Sequence, residues 1–146
     1  MKRMKVGSWT IEVDVEQTKR FYDGFHLITD DCICDYCANY ILACNQFPLE
    51  IKDFFVCLGI DPCKEGEVSE YMKNQDGTHF YRAFYHVVGR IIKGPKLWNE
   101  DTSVHNLAGF EIGFTEVLDL VPEGFPMPTV QVEFQMNIPW LLNEWH

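Results

Sequence analysis

The sequence predicts an α+β fold in which N-terminal helices pack on one face of a C-terminal antiparallel sheet. Apolar residues recur at helical spacings of three and four in residues 35–58, whereas they alternate with polar residues near positions 110–115 and 130–136. The 146 residues contain no linker, repeat or low-complexity tract. We therefore expect residues 1–146 to form a single domain.

The first elements are a short strand and a short helix. Residues 9–13 alternate as a half-buried strand does. Asp14 is a favourable N-cap for a helix over residues 15–22, which Gly24 ends.

Two longer helices follow. The apolar stripe of the first lies within residues 35–44 and consists of Tyr36, Cys37, Tyr40, Ile41 and Cys44. Pro48 fits the first turn of the second helix, and Gly59 marks its end.

The second half of the chain is predicted to form the sheet. A strand over residues 67–72 precedes the turn Gln75-Asp76-Gly77 and the long run 79–93. This run also fits a helical stripe, but its β-propensity and the preceding turn favour a strand. Two further strands are predicted from alternation, with inward residues Phe110, Ile112, Phe114, Val130, Val132 and Phe134.

Composition and charge exclude several classes of protein. With 47% hydrophobic residues the chain is not of the disordered class, and no segment approaches the roughly twenty apolar residues of a membrane span. No apolar signal segment follows the basic start, so we expect a cytoplasmic protein with reduced cysteines. The net charge of -10 opposes binding to nucleic acid.

Three cysteines lie within six residues, at Cys32, Cys34 and Cys37. One interpretation is a site for a zinc-class ion, with His26 or Cys44 as the fourth ligand. A second is a redox pair formed by Cys34 and Cys37 at a helix N-terminus. The third, which we favour from sequence alone, is that they are ordinary core and loop residues.

Arg82, His86 and Arg90 are spaced by four, so they share one face of a strand or of a helix. Two guanidinium groups flanking a histidine are suited to a carboxylate or phosphate. The alternative is internal pairing with acids such as Glu111 and Glu133. His79 joins this face only if the run is helical.

No nucleophile or nucleotide-binding motif is present. Aromatic residues can anchor a protein partner, and Trp9, Trp98, Trp140 and Trp145 are candidates. The apolar tail 138–142 is expected either to fold over the sheet or to meet a second subunit.

Six short motifs are spread along the chain, namely Asp14-Val-Glu, Cys34-Asp-Tyr-Cys37, Leu58-Gly-Ile-Asp-Pro62, Asp76-Gly-Thr-His79, Tyr85-His-Val-Val-Gly89 and Pro139-Trp-Leu-Leu142. They resemble motifs of a family of small uncharacterised proteins from Gram-positive bacteria. The resemblance implies a small cytosolic bacterial domain and assigns no activity and no functional residue.

These observations lead to three hypotheses. The first is a non-enzymatic binding or interaction domain, acting on a protein partner or as a homo-oligomer. The second is a zinc-class metal-binding protein that uses Cys32, Cys34 and Cys37. The third is a small enzyme that acts on an anionic substrate at Arg82, His86 and Arg90.

Overall fold

The computed structural model describes residues 1–64, 66–96 and 104–142. In chain order the elements are β1 (Lys2–Val6), β2 (Trp9–Val13), α1 (Val15–Asp23), α2 (Ile28–Asp31), α3 (Asp35–Cys44), α4 (Leu49–Leu58), β3 (Glu67–Lys73), β4 (His79–Lys93), β5 (His105–Leu107), β6 (Phe110–Thr115) and β7 (Thr129–Ile138).

The strands of the described residues form one antiparallel sheet. Its order is β1-β2-β4-β7-β6-β5, and β3 pairs separately with β4. The fifteen-residue strand β4 is the centre of this arrangement. Its first part pairs with β3 and its last part with β2, while β7 pairs along residues 79–88.

The predicted helix stops at Gly24 and Gly59 and the predicted strand over residues 79–93 are confirmed, whereas Pro48 is the N-cap of α4 and does not lie in its first turn. The Asp14 carboxylate accepts a hydrogen bond from the Gln17 backbone N–H at 3.0 Å, and α1 ends at Gly24. Gly59 ends α4 with a φ of 84°, a left-handed conformation that costs glycine little.

One part of the predicted architecture is wrong, because the sheet is not confined to the C-terminal half. The hairpin of β1 and β2 joins it through β4, where Ile11 pairs with Ile91 and Val13 with Gly89. The last residues of β4 have backbone donors and acceptors that need partners, and β2 supplies them. Ile11 and Val13 are buried as a result.

Aromatic rings link the helices to the sheet. The ring of Phe55 on α4 stacks on Phe134 of β7 at 4.8 Å, and Tyr40 on α3 lies 5.8 Å from Tyr81 of β4. The residues of β6 and β7 that were predicted to face inward are all buried, namely Phe110, Ile112, Phe114, Val130, Val132 and Phe134. In the predicted apolar stripe of α3, by contrast, Tyr36 is exposed. Packing between α3, α4 and the sheet therefore forms much of the core.

The tail after β7 folds back onto α3. The side-chain amide of Asn39 donates to the Pro139 carbonyl at 3.1 Å, and its oxygen accepts from the Leu141 N–H at 2.6 Å. Trp9 is fully buried and Trp140 is half-buried, whereas Trp98 and Trp145 lie outside the described residues.

Among the helices of the described residues, none has the length and apolar character needed to cross a bilayer.

Candidate metal centre

The three clustered cysteines lie at the junction of α2 and α3. Cys32 is the C-cap of α2, Cys34 is the N-cap of α3, and Cys37 lies in the first turn of α3. The extended backbone of Cys34 lets its sulfur accept a hydrogen bond from the Cys37 backbone N–H at 3.4 Å. This capping contact turns the Cys34 thiol back toward Cys37.

The structure brings the three sulfur atoms together. All three lie within 4.8 Å of one another, and the Sγ atoms of Cys32 and Cys34 are 3.1 Å apart. Zn–S bonds of about 2.3 Å at tetrahedral angles place sulfurs about 3.8 Å apart. Small side-chain rotations therefore suffice to place the three thiols around one ion.

The cluster is buried on one side and open on the other. Cys37 has only 4% of its surface exposed, whereas Cys32 is half-buried and Cys34 is exposed. Ile33, between the two outer cysteines, is 94% exposed. The cluster is thus accessible from solvent at the side of Cys34.

The surroundings of Cys32 and Cys37 shift the pKa values of the two thiols in opposite directions. Hydrogen bonds lower the pKa of Cys32, first from the Cys37 thiol and then from the Cys34 backbone and thiol. Burial, more than any other cause, raises the pKa of Cys37. Thiolates are the metal-binding form, so Cys32 is better prepared than Cys37 to bind an ion.

Strand β4 and its neighbours hold the start of α3 in place. The Tyr81 hydroxyl donates to the Tyr36 carbonyl at 2.8 Å. The Tyr36 ring contacts Trp140 at 5.7 Å and His79 at 6.2 Å. His79 in turn lies 2.7 Å from the Glu70 carboxylate of β3. Contacts with β4, β3 and the C-terminal tail therefore fix the position of the helix start that carries Cys34 and Cys37.

The predicted fourth ligands do not join the cluster. Among the described residues, the group of ligand atoms within 4.8 Å consists of Cys32, Cys34 and Cys37. His26 is exposed, and its ring stacks on Phe25 with centroids 4.1 Å apart. Cys44 lies at the other end of α3, separated from Cys34 by the ten-residue helix.

Cys44 instead lies beside Cys63, a neighbour that sequence reasoning missed. The two thiols are hydrogen-bonded to each other, and this contact lowers the pKa of Cys63 while burial raises that of Cys44. The Cys44 thiol also faces the Pro62 carbonyl at 3.9 Å. Two cysteines nineteen residues apart form no motif, so this pair could not be recognised from the sequence.

The residues Arg82, His86 and Arg90 share one face of β4, but they do not form one open site. His86 is fully buried, and its Nε2 lies 3.0 Å from the Asp119 carbonyl and 3.3 Å from the Gln131 side-chain oxygen. The two arginines are exposed on either side of it.

Each arginine has its own partner within the protein. Arg90 donates to Glu12 at 3.1 Å, and Arg3 contacts the other oxygen of that carboxylate at 3.3 Å. Arg82 lies over the Tyr71 ring at 5.4 Å. The internal pairing expected for Arg90 thus uses Glu12 rather than Glu111 or Glu133, because β2 lies beside the end of β4.

A groove of about 410 Å³ next to Arg90 also contains an acid. Glu116 lines this groove, accepts from the Ile91 backbone N–H at 3.1 Å and lies 3.9 Å from the Lys96 ammonium group. A carboxylate in this position opposes the binding of an anion beside Arg90 and Lys96.

Comparison of the chain with protein-family models, with curated proteins and with solved structures finds no match.

Proposed function

We propose that this chain is a non-enzymatic binding domain whose ligand is a zinc-class metal ion held by Cys32, Cys34 and Cys37. The observation that supports the proposal is the convergence of three sulfur atoms within 4.8 Å at the start of α3. Three separate constraints produce it, namely the end of α2, the N-cap of α3 and its first turn.

The chemistry of the donors supports an ion of borderline or soft character. Thiolates bind Zn²⁺ and Cu⁺ in preference to Mg²⁺ or Ca²⁺, which require oxygen ligands. Hydrogen bonds from the Cys37 thiol and from Cys34 lower the pKa of Cys32, which favours the thiolate form that binds a metal. The surrounding chain, with a net charge of -10, also favours a cation over an anion.

The proposal is tested by metal stoichiometry. The protein, reduced and free of metal, is dialysed against Zn²⁺ and analysed for zinc. We expect one equivalent per chain, and we expect Cys32→Ser, Cys34→Ser and Cys37→Ala each to abolish it. Because binding to the folded state adds stability, zinc should also raise the melting temperature of the unmodified protein.

The matched control is Cys57→Ser, which changes a half-buried thiol on α4 outside the cluster. This variant should retain one equivalent of zinc. A wild-type protein that binds no zinc, or three cluster variants that bind as much as wild type, would contradict the proposal.

The same proposal extends to the placement of the helices, the family and the location of the protein. The ring contacts of α3 and α4 with the sheet favour placing these helices on one face of it. The motif resemblance favours membership of the Gram-positive family and a cytoplasmic location, where the thiols stay reduced. The proposal also includes binding of this domain to a protein partner or to a second copy of the chain.

A further inference from the structure

We infer that the thiol cluster holds its metal with one coordination position open and passes it directly to an external acceptor. This inference rests on the proposed function and concerns the same site. It assigns the cluster to reversible carriage of a metal ion and not to permanent structural support.

The number of donors is the first argument. The described residues place three protein ligand atoms in the cluster. Structural zinc sites are closed by four protein ligands, whereas sites with three keep a position for a ligand from outside. Within the part of the chain that the structure describes, the three cysteines therefore leave one coordination position of the ion unfilled.

The direction of exposure is the second argument. Cys37, which is 4% exposed, forms the inner side of the cluster, and the exposed Cys34 forms the outer side. The open position consequently faces solvent, where the donor atom of another molecule can reach the ion. Acceptors of matching chemistry are chelating thiolates and imidazoles.

Transfer is a ligand exchange without a change of oxidation state. A donor atom of the acceptor binds at the open position, and the bond between the ion and the Cys34 sulfur then breaks. The Cys34 thiolate takes up a proton from solvent. Repetition at Cys32 and finally at Cys37 completes the transfer, and the reverse order loads the site.

The order of exposure also gives each cysteine a different role. Cys34 is accessible and releases first, whereas Cys37 is buried, next to the Tyr36 carbonyl that accepts from Tyr81, and releases last. The start of α3 is held by β4, so the acceptor can remove the ion without unfolding of the domain.

The test is the rate law of zinc removal. The zinc-loaded full chain is mixed with increasing concentrations of a chromophoric pyridylazo chelator, and transfer is followed by absorbance. We expect the rate to rise in proportion to chelator over at least a tenfold range, because the chelator attacks the bound ion. A rate that does not depend on chelator would show that release comes first and would overturn the inference.

Two variants serve as controls for this rate law. Cys57→Ser should transfer zinc at the wild-type rate. Glu67→Gln removes a carboxylate that acts electrostatically on the Cys32 thiol. It should keep the same dependence on chelator; slower loading together with loss of zinc affinity would identify Glu67 as a fourth ligand and overturn the open position.

X-ray absorption of the zinc-loaded protein gives an independent measurement. Three sulfur donors and one oxygen or nitrogen donor are expected, and four sulfur donors would overturn the inference. One bound zinc with four sulfurs or a chelator-independent rate leaves the proposed function intact. A protein that binds no zinc overturns both, so the two failures are distinguishable.

Discussion

The Tyr22 hydroxyl bonds both backbone groups of His86. It accepts from the His86 N–H at 3.1 Å and donates to the His86 carbonyl at 3.1 Å, and both residues are buried. The contact lies where β4 has left β3 and has not yet met β2. The Tyr22 hydroxyl on α1 thus takes the place of the backbone groups that a neighbouring strand would offer to His86.

Thr18 continues this arrangement along α1. Its hydroxyl accepts from the Val88 N–H at 3.0 Å and donates to the Asp14 carbonyl at 2.8 Å, while the Asp14 N–H donates to the Val88 carbonyl at 2.7 Å. The side chains of α1 therefore satisfy backbone groups of β4 that would otherwise be buried without partners.

Tyr22→Phe is expected to destabilise the protein by about 1–3 kcal/mol, the cost of leaving buried polar groups unsatisfied. Removing the hydroxyl leaves the shape of the ring unchanged, so the loss reports on its hydrogen bonds. Urea denaturation measures the free energy of unfolding. Tyr71→Phe, at a side chain that is 56% exposed, is the control, and its change should stay within about 0.5 kcal/mol. Equal effects of the two substitutions would refute the role given to Tyr22.

Substitutions at Cys34 should separate helix capping from metal binding. Serine is a favourable N-cap residue, so Cys34→Ser should keep or raise the stability of the metal-free protein. Cys34→Ala removes the cap, and its free energy of unfolding should be lower than that of Cys34→Ser by about 0.5–2 kcal/mol. Both variants should lose zinc.

The measurement for this pair is urea denaturation in the presence of a chelator, followed by zinc analysis after dialysis. If Cys34→Ser kept its zinc, the thiol would not be a ligand. If Cys34→Ala were as stable as Cys34→Ser, the capping contact of Cys34 with the Cys37 N–H would contribute nothing.

Acid should weaken the contact between Glu12 and its two arginines. The guanidinium groups of Arg90 and Arg3 lower the pKa of Glu12, mainly through hydrogen bonds from Arg90 first and Arg3 second. A carboxyl whose pKa is lowered by folding stabilises the protein above its unfolded pKa. This contribution is lost as the pH falls through the lower, folded pKa.

The melting temperature of wild type should therefore exceed that of Glu12→Gln at pH 7, and the difference should shrink as the pH falls below about 4.5. Thermal unfolding between pH 3 and pH 7 in roughly 0.1 M salt measures it. Glu111→Gln, at an exposed position of β6, is the control. A difference that stays constant across this range would argue against the ion pair as its source.

Phosphate and small carboxylates should not raise the melting temperature. Binding to the folded state alone would raise it with concentration, but Arg90 already contacts Glu12 and His86 is fully buried. A thermal-shift screen of these anions tests this. A rise that Arg82→Ala combined with Arg90→Ala removes would revive the hypothesis of an enzyme acting on an anionic substrate.

Local patterns in the sequence determined the three longer helices, their C-terminal ends and most of the strands, but not the four-residue helix α2. The cap at Asp14 and the stop at Gly59 depend on neighbouring residues, so they were predictable. The close approach of the three thiols also has a local origin, since they lie within six residues. Their spacing alone did not decide between a metal site, a redox pair and ordinary core positions.

Only the tertiary structure decided which distant groups meet. The strand β2 was predictable, but its pairing with the end of β4 was not. This pairing brings the Glu12 carboxylate within hydrogen-bond distance of Arg90. The contact of Tyr22 with His86 spans 64 residues of chain, and the pair Cys44 and Cys63 spans nineteen. Such contacts follow from the pairing of strands and the docking of helices, which depend on the burial of the whole core and leave no local pattern in the sequence.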